Sequence, residues 1–189
     1  MPFEGARELT DPLTMRALAH PVRLAILEAL THHGSLTATE VAEHVGESPS
    51  NCSFHLRQLA KYGFVEEAEG GTGRRRPWRV VTIGTSFTDV HEDTETALAA
   101  SNLSRVIVER LLARARVGLE QGRLLPDEWR AVIGSSDMTL YVTPEEMRVL
   151  GDAIVEKLWV YRERIADPAK RPPGSRPLQF AGFVYPVEP

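Results

Sequence analysis

The chain has 189 residues, of which 42% are hydrophobic and 25% charged, and its formal net charge is -4 at pH 7. A chain of this size and composition can bury one core or two small ones, which excludes a disordered or fibrous protein. No apolar run approaches the ~20 residues that cross a bilayer and the N-terminus lacks a secretory pattern, so we expect a cytoplasmic protein with no membrane partner.

Short helices are predicted at the start of the chain, each with a recognisable start or stop signal. Residues 12–19 form the first helix, and Pro21 opens the second. The amide of a residue in the first helical turn has no hydrogen-bond partner within the helix, so a proline, which has no amide proton, is well tolerated there. Gly34 ends the second helix. Thr37 and Glu40 have the spacing of a capping box, which predicts a third helix from that point.

The fourth predicted helix has two chemically different faces. It follows a break at Gly46, and Ser48 and Pro49 supply its cap and first turn. One side of the helical projection is apolar and should face the core: Cys52, Leu56, Leu59 and Ala60. The other side is polar apart from one aromatic ring: Ser50, Asn51, Ser53, Phe54, Arg57, Gln58 and Lys61. Such side chains suit the base edges of a DNA major groove.

A hairpin with a basic returning arm is predicted next. Its strands span 64–68 and 78–83, and the loop between them, 70–73, has the glycines of a hairpin turn. The returning arm begins with three arginines, Arg74 to Arg76. A helix-turn-helix followed by a basic hairpin, or wing, fits duplex DNA, with a helix in the major groove and the wing on the phosphates. The acidic net charge argues weakly against this, but the basic residues cluster on the predicted surface.

The predicted DNA-binding residues combine the cap and polar face of the fourth helix with the wing arginines. They are Ser48, Ser50, Asn51, Ser53, Phe54, His55, Arg57, Gln58, Lys61, Arg74, Arg75 and Arg76. Two interpretations of His55 stay open, because it lies at the edge of the outward face: it donates to a phosphate, or it caps a loop inside the domain. The alternative for the whole face is an ordinary solvated surface helix, which the adjacent wing disfavours.

Three motifs stand in order along this region: LAHPVRLAIL at 18–27, SFHLRQL at 53–59 and GFV at 63–65. They resemble the successive motifs of the ArsR family of winged-helix transcriptional regulators, and the resemblance covers about the first half of the chain. It implies that Ser53, His55 and Arg57 meet DNA from the recognition helix and that Arg74 to Arg76 lie in the wing. It also implies a homodimer on an inverted repeat, with recognition helices ~34 Å apart.

Metal and catalytic chemistry are not expected. Many ArsR-family members sense metals through paired cysteines, whereas this chain has one cysteine, Cys52, which the projection places inward. We therefore predict no metal site and no cofactor. Glu145 and Glu146 resemble paired carboxylates, but a capping box with Thr143 explains them and no nucleophile accompanies them, so an enzyme is not predicted.

The second half of the chain has a different pattern. Apolar residues at helical spacing predict helices over 98–119 and 144–165, and residues 138–142 and 178–184 are predicted to be strands of a strand-helix-strand unit. The predicted fold is mainly α with small β: a winged helix-turn-helix domain at 10–85 and a helical dimerisation region at 86–189. The helices carry more apolar surface than the winged domain can cover, so a homodimer is expected.

Two alternatives remain for this protein. The aromatic residues of the second half are either ordinary core or the wall of an apolar pocket for a small-molecule effector: Trp129, Tyr141, Trp159, Tyr161, Phe180 and Phe183. For function, we expect a DNA-binding transcriptional repressor. The alternative is a winged-helix module that binds another protein through the polar side of its fourth helix. Dependence of DNA binding on salt would separate the two.

Overall fold

The computed structural model describes residues 6–71, 76–82, 84–88 and 90–187. Within these ranges the protein is mainly helical, with two small two-stranded sheets. Among the described residues, no helix combines the length and the apolar character that crossing a membrane demands.

The first two helices form where their start signals predict. Helix α1 spans Pro12–Leu18, and the Asp11 side chain caps it by accepting from the Thr14 backbone amide at 2.7 Å. Helix α2 spans Pro21–His33 and ends at Gly34, whose φ of 82° favours glycine. Both predicted helices are confirmed, and the buried faces of α1 and α2 contribute to a single apolar core.

Helices α3 and α4 make a tight helix-turn-helix. Helix α3 spans Ala38–Val45 and begins with the predicted capping box of Thr37 and Glu40. It ends at Gly46, where φ 77° and ψ 25° place the residue in the left-handed region and reverse the chain at little steric cost. Helix α4 spans Pro49–Lys61, where the sequence predicted the fourth helix, and the Ser48 side chain caps it.

The wing is confirmed as an antiparallel pair. Strand β2 spans Val65–Glu67 and strand β3 spans Trp78–Val80, with Glu66 opposite Arg79. Leu36 and Trp78 exchange two backbone hydrogen bonds, of 3.0 and 2.7 Å, which anchor β3 beside the α2–α3 connection. The base of the wing is therefore tied to the helix-turn-helix. Residues 72–75, which include part of the predicted hairpin loop, and residue 83 lie outside the described ranges.

A second small sheet was not predicted. Strand β1, Arg7–Glu8, pairs in parallel with strand β4, Thr85–Ser86, so the two ends of the winged domain meet. Arg7 also reaches α4: its Nη1 donates to the Tyr62 carbonyl at 2.6 Å, and its guanidinium lies 4.6 Å from the centre of the Phe64 ring. Two-residue strands are too short to carry a period-2 pattern, which is why the sequence did not reveal them.

Helix α5 spans Thr94–Gly122 and completes the core with its first half. Ala99, Ala100 and Leu103 are buried and pack with the winged-domain residues, mainly against α1. Beyond Ile107 the apolar cover ends, and Leu112 is 56% exposed, although Arg110 and Arg114 still pair with Glu28 of α2. The same helix is thus a core element at its start and a largely exposed helix further along.

The rest of the chain forms short helices and irregular segments. Helix α6 spans Asp127–Arg130, α7 spans Pro144–Trp159 and α8 spans Arg162–Ala166, followed by a 3₁₀ helix at Pro168–Lys170. The capping box of Thr143 and Glu146 at the start of α7 is present as predicted. The helix predicted over 144–165 is interrupted between α7 and α8.

The predicted strand-helix-strand unit is wrong. Residues 138–142 and 178–184 are all described, and neither segment forms a strand. A strand requires a neighbouring backbone to accept and donate its hydrogen bonds, and among the described residues neither segment pairs with another strand. Their side chains are accordingly exposed, with Tyr141 at 96% and Phe180 at 61%. Apolar alternation alone therefore misidentified these segments.

Candidate nucleic-acid interface

Helix α4 carries a buried face and an exposed face, as the projection predicted. Cys52, Leu56 and Leu59 are fully buried in the core of the winged domain. On the opposite side, the exposed residues are Ser48, Ser50, Phe54, Arg57 and Lys61, and the half-buried ones are Asn51, Ser53 and Gln58. The structure therefore brings nearly all of the predicted residues of this helix to one solvent-facing surface, here called the reading face.

Two polar side chains of the reading face already have intramolecular partners. Arg57 Nη1 donates to Ser53 Oγ at 2.6 Å, and Asn51 Nδ2 donates to Glu47 Oε2 at 2.8 Å. The first contact holds the Arg57 guanidinium along the helix surface, beside the residue one turn earlier. The second places an acidic group beside the N-terminal turn of α4. An incoming partner must exchange the second contact or accommodate the Glu47 carboxylate.

His55 lies inside the domain, unlike the rest of the predicted set on this helix. Its side chain is buried, with the His20 ring 4.6 Å away between centroids, and its Nδ1 accepts from Arg23 Nε at 3.4 Å. Burial lowers the pKa of His55, and the adjacent His20 and Arg23 lower it further, so the ring is neutral at pH 7. His55 is thus buried inside the domain, where its hydrogen-bond partner is the Arg23 side chain rather than a loop.

Arg23 is a residue that sequence reasoning missed. Besides donating to His55, it donates through Nη1 to the Ala17 carbonyl, and so joins α1, α2 and α4. Burial lowers its pKa from the ordinary value, although an arginine stays charged at any physiological pH. Arg23 lies inside the first of the three motifs, which was the available signal for it.

The wing is electrostatically balanced where it is described. Arg76 pairs with Glu67 at 2.7 Å, and Arg79 pairs with Glu66 at 2.7 Å across the two strands. These pairs offset part of the basic character that the arginine run suggested. The predicted contact residues Arg74 and Arg75 lie outside the described residues. The opposed signs of Glu66 and Arg79 were the sequence signal for this pairing, once the register was known.

The aromatic residues of the second half do not wall one pocket. An apolar hollow of about 380 Å³ lies along α7, lined by Ala153, Ile154, Lys157, Leu158 and Phe180. Phe180 is the one residue of the predicted aromatic set among this lining. Across the described ranges, no group of three or more histidine, cysteine, aspartate or glutamate side chains is arranged to hold a metal ion.

The comparison with known families agrees with this geometry. Residues 18–68 match the family described as "Helix-turn-helix domain", which covers α2, α3, α4 and β2 and about a quarter of the chain. No curated protein matches the chain. The matched stretch includes the whole reading face of α4, and similarity to a helix-turn-helix domain indicates a DNA-binding regulator.

Proposed function

We propose that this protein is a sequence-specific transcriptional repressor of the ArsR type that binds an inverted repeat as a homodimer. The observation that carries the proposal is the reading face itself: a helix firmly packed on one side presents polar side chains on the other, directly after a left-handed glycine turn. That arrangement suits insertion of α4 into a major groove. The ArsR-like motifs support the finer assignment.

Arg57 is the proposed base-reading residue. Its guanidinium is exposed and held by Ser53, so its orientation is partly fixed before DNA binds. A guanidinium can donate two parallel hydrogen bonds to guanine, which is worth about 1–3 kcal/mol against a wrong base. Asn51 and Gln58 are the proposed adenine readers, and the 47% exposed ring of Phe54 is suited to a thymine methyl.

Phosphate contact is assigned to the remaining cations and hydroxyls. Lys61 and Ser50 are exposed on α4, and Ser48 is exposed at its cap. Arg74, Arg75 and Arg76 are the proposed wing contacts, with Arg76 shared with Glu67. Because Glu66 and Glu67 offset two arginines of the wing, we expect weak non-specific binding and a correspondingly larger share of specificity from α4.

The homodimer is supported by the amount of surface the chain leaves exposed. Its accessible surface is 13399 Å², whereas a folded monomer of 21.0 kDa is expected to expose about 9,000 Å². The excess of about 4,400 Å² is ample for an obligate dimer, which hides about 1,000–2,500 Å² on each copy. Much of the exposed apolar surface lies on α7 and α8, where a stripe is 38–51% exposed: Leu150, Ile154, Leu158, Tyr161 and Ile165.

Binding of the full-length protein to random duplexes, with selection and sequencing of the bound fraction, tests the proposal directly. If the protein binds as a dimer, the selected sequences should contain two half-sites that are related by a two-fold axis and lie about one helical turn apart. Arg57→Ala should relax the preference at one position of each half-site, while Arg130→Ala, at an exposed site on α6, is the matched control. Recovery of no preferred sequence at any salt concentration would contradict the proposal.

A second candidate function is a winged-helix module that binds another protein through the same face. The exposed Phe54 and the glutamate-paired wing arginines favour it, because neither feature is needed to grip phosphates. Added salt separates the two functions, because the affinity of a transcriptional regulator for DNA should fall steeply as salt is added. The double variant Arg74→Ala with Arg75→Ala should make the plot of log binding constant against log salt concentration less steep, by a slope of about two. Binding to duplex DNA that ignores salt would favour the protein-binding module.

A further inference from the structure

A small polar cavity lies away from the reading face, where three helices meet. It has a volume of about 280 Å³ and is lined by Ala25, Glu28, Ala29, His32, His33, His44, Val45, Arg110 and Arg114. The lining comes from the end of α2, from α3 and from the middle of α5. This volume fits a molecule several times the size of a water, about 30 Å³, but is small for a drug-sized ligand.

The fixed charges around the cavity do not balance. Arg110 and Arg114 both pair with the single carboxylate of Glu28. All three side chains are more than half-buried, with 26%, 35% and 18% of their surfaces exposed. Two guanidiniums against one carboxylate leave an excess positive charge in a partly desolvated place. Each guanidinium has five donors in a planar fork, so donors remain for a second oxyanion beside Glu28.

Three imidazoles complete one wall of the cavity. The rings of His33 and His44 stack with their centroids 4.0 Å apart and an angle of 12° between planes, and His32 meets His33 edge-on at 6.4 Å. Burial lowers the pKa of His33, and the neighbouring His44 and His32 lower it further. Of this wall, His33 is therefore less readily protonated than an ordinary histidine.

We propose that this cavity is a binding site for a small oxyanion, either a carboxylate or a phosphate-like group, held by Arg110, Arg114 and His44. Both chemistries present several oxygen acceptors to the same donors, and guanidinium forks match either. The site lies on α3 and α5 at once. An occupied site therefore bridges the helix that precedes the recognition helix and the helix that leads into the second half of the chain.

Proton linkage gives the proposal a specific signature. The groups that face His33 are His32 and Glu28 from α2, His44 from α3, and Arg110 and Arg114 from α5. A bound oxyanion adds a second negative charge beside that of Glu28, which opposes the lowering of the His33 pKa by burial, His44 and His32 and favours protonated His33. By linkage, the anion must then bind more tightly as the pH falls from 8 towards 5.5.

Histidine-ring NMR of the full-length protein, titrated with inorganic sulfate or with malonate at constant ionic strength, tests the site. Sulfate carries the same charge across this pH range, so it serves for the pH series. We expect saturable shifts of the His33 and His44 resonances, at least threefold tighter at pH 5.5 than at pH 8. The tighter of the two probes identifies the class as phosphate-like or carboxylate. Arg114→Gln should weaken binding about tenfold or more.

Two variants keep the test decisive. His44→Ala removes the imidazole donor from the exposed surface of α3 and leaves both ion pairs of Glu28 intact, so it reports on binding even if Arg114→Gln unfolds. Arg105→Gln is the control, since Arg105 lies on the same helix but pairs with Glu109 at 3.0 Å, away from the cavity. Shifts that do not saturate with either probe, or affinity unchanged in His44→Ala, would overturn the proposal.

Discussion

The two halves of this protein use similar apolar content in opposite ways. In residues 6–106, leucines such as Leu18, Leu30 and Leu56 are at most 1% exposed, and helices, wing and a short parallel sheet close over them. In residues 123–187, most large apolar side chains are exposed, from Leu150 at 38% to Tyr141 at 96%. The difference shows that helical periodicity forms a core only where elements are connected so that their faces meet.

Connection length explains much of the contrast. In the first half, α1 to α4 are separated by turns of a few residues, so neighbouring helices pack directly. In the second half, α6 and α7 are separated by residues 131–143, which have no regular structure. A second copy of the chain is the proposed source of the missing cover. Each prediction below probes whether the two halves differ in solution as they do in the structure.

The largest expected effect concerns the exposed stripe of α7. Ile154→Asp combined with Leu158→Asp should shift the protein from dimer to monomer in sedimentation equilibrium, because a buried unpaired carboxylate costs about 3–5 kcal/mol. Glu156→Gln, an exposed polar change on the same helix, is the control. A dimer of undiminished affinity in the double variant would show that another surface forms the interface.

The next largest effect is the difference in stability loss when a leucine is truncated in each half of the chain. Leu56→Ala should lower the free energy of unfolding by about 3 kcal/mol, because Leu56 is fully buried on the inward face of α4. Leu124→Ala, at a site 86% exposed, should change it by less than about 0.5 kcal/mol. Urea unfolding at concentrations that keep the protein monomeric measures both. Equal losses would mean that Leu124 is covered in the monomer and that the contrast is false.

The two capping boxes offer a smaller, chemically matched comparison. Thr37 caps α3 in the packed half and Thr143 caps α7 in the exposed half, with the same pair of reciprocal hydrogen bonds. Thr37→Ala should cost about 1 kcal/mol of global stability. Thr143→Ala should fray α7 in the monomer, seen as lower helical circular dichroism, and leave the main unfolding transition in place. A shifted main transition in Thr143→Ala would join α7 to the folding unit of the first half.

The smallest effect is a dependence of stability on pH that originates in the packed half. Burial lowers the pKa of His20 and of His55, and Arg23 lowers both further, against a smaller opposing effect of Glu47. The unfolded chain therefore binds protons more readily than the folded one, and stability is complete above pH ~6.5 and falls below it.

A variant can assign this dependence. His55→Gln should flatten the slope of stability between pH 7 and pH 5, measured by urea unfolding, even if it lowers stability at every pH. His91→Gln, which alters a histidine outside the apolar core, should leave the slope unchanged. An equal slope in His55→Gln and the unaltered protein would remove His55 as its source.

Local signals predicted the first half well. The caps at Thr37 and Ser48, the prolines at helix starts and the glycine turn at Gly46 all act over a few residues, so the sequence contains everything needed to place α1 to α4 and the wing. The exposed and buried sides of α4 followed from its 3.6-residue period alone. The prediction of strands at residues 138–142 and 178–184 was wrong, because a strand needs a pairing partner that no local sequence pattern reveals.

The sequence by itself determined where α1 to α4 begin and end and which side of α4 is polar, because those properties arise from neighbouring residues. Only the tertiary structure decided the roles of His55, Arg7 and Glu28. His55 is internal because His20 and Arg23 pack against it, and Glu28 meets two arginines that are more than 80 positions away along the chain. Such contacts depend on how distant elements dock, and docking is set by the whole core rather than by any single segment.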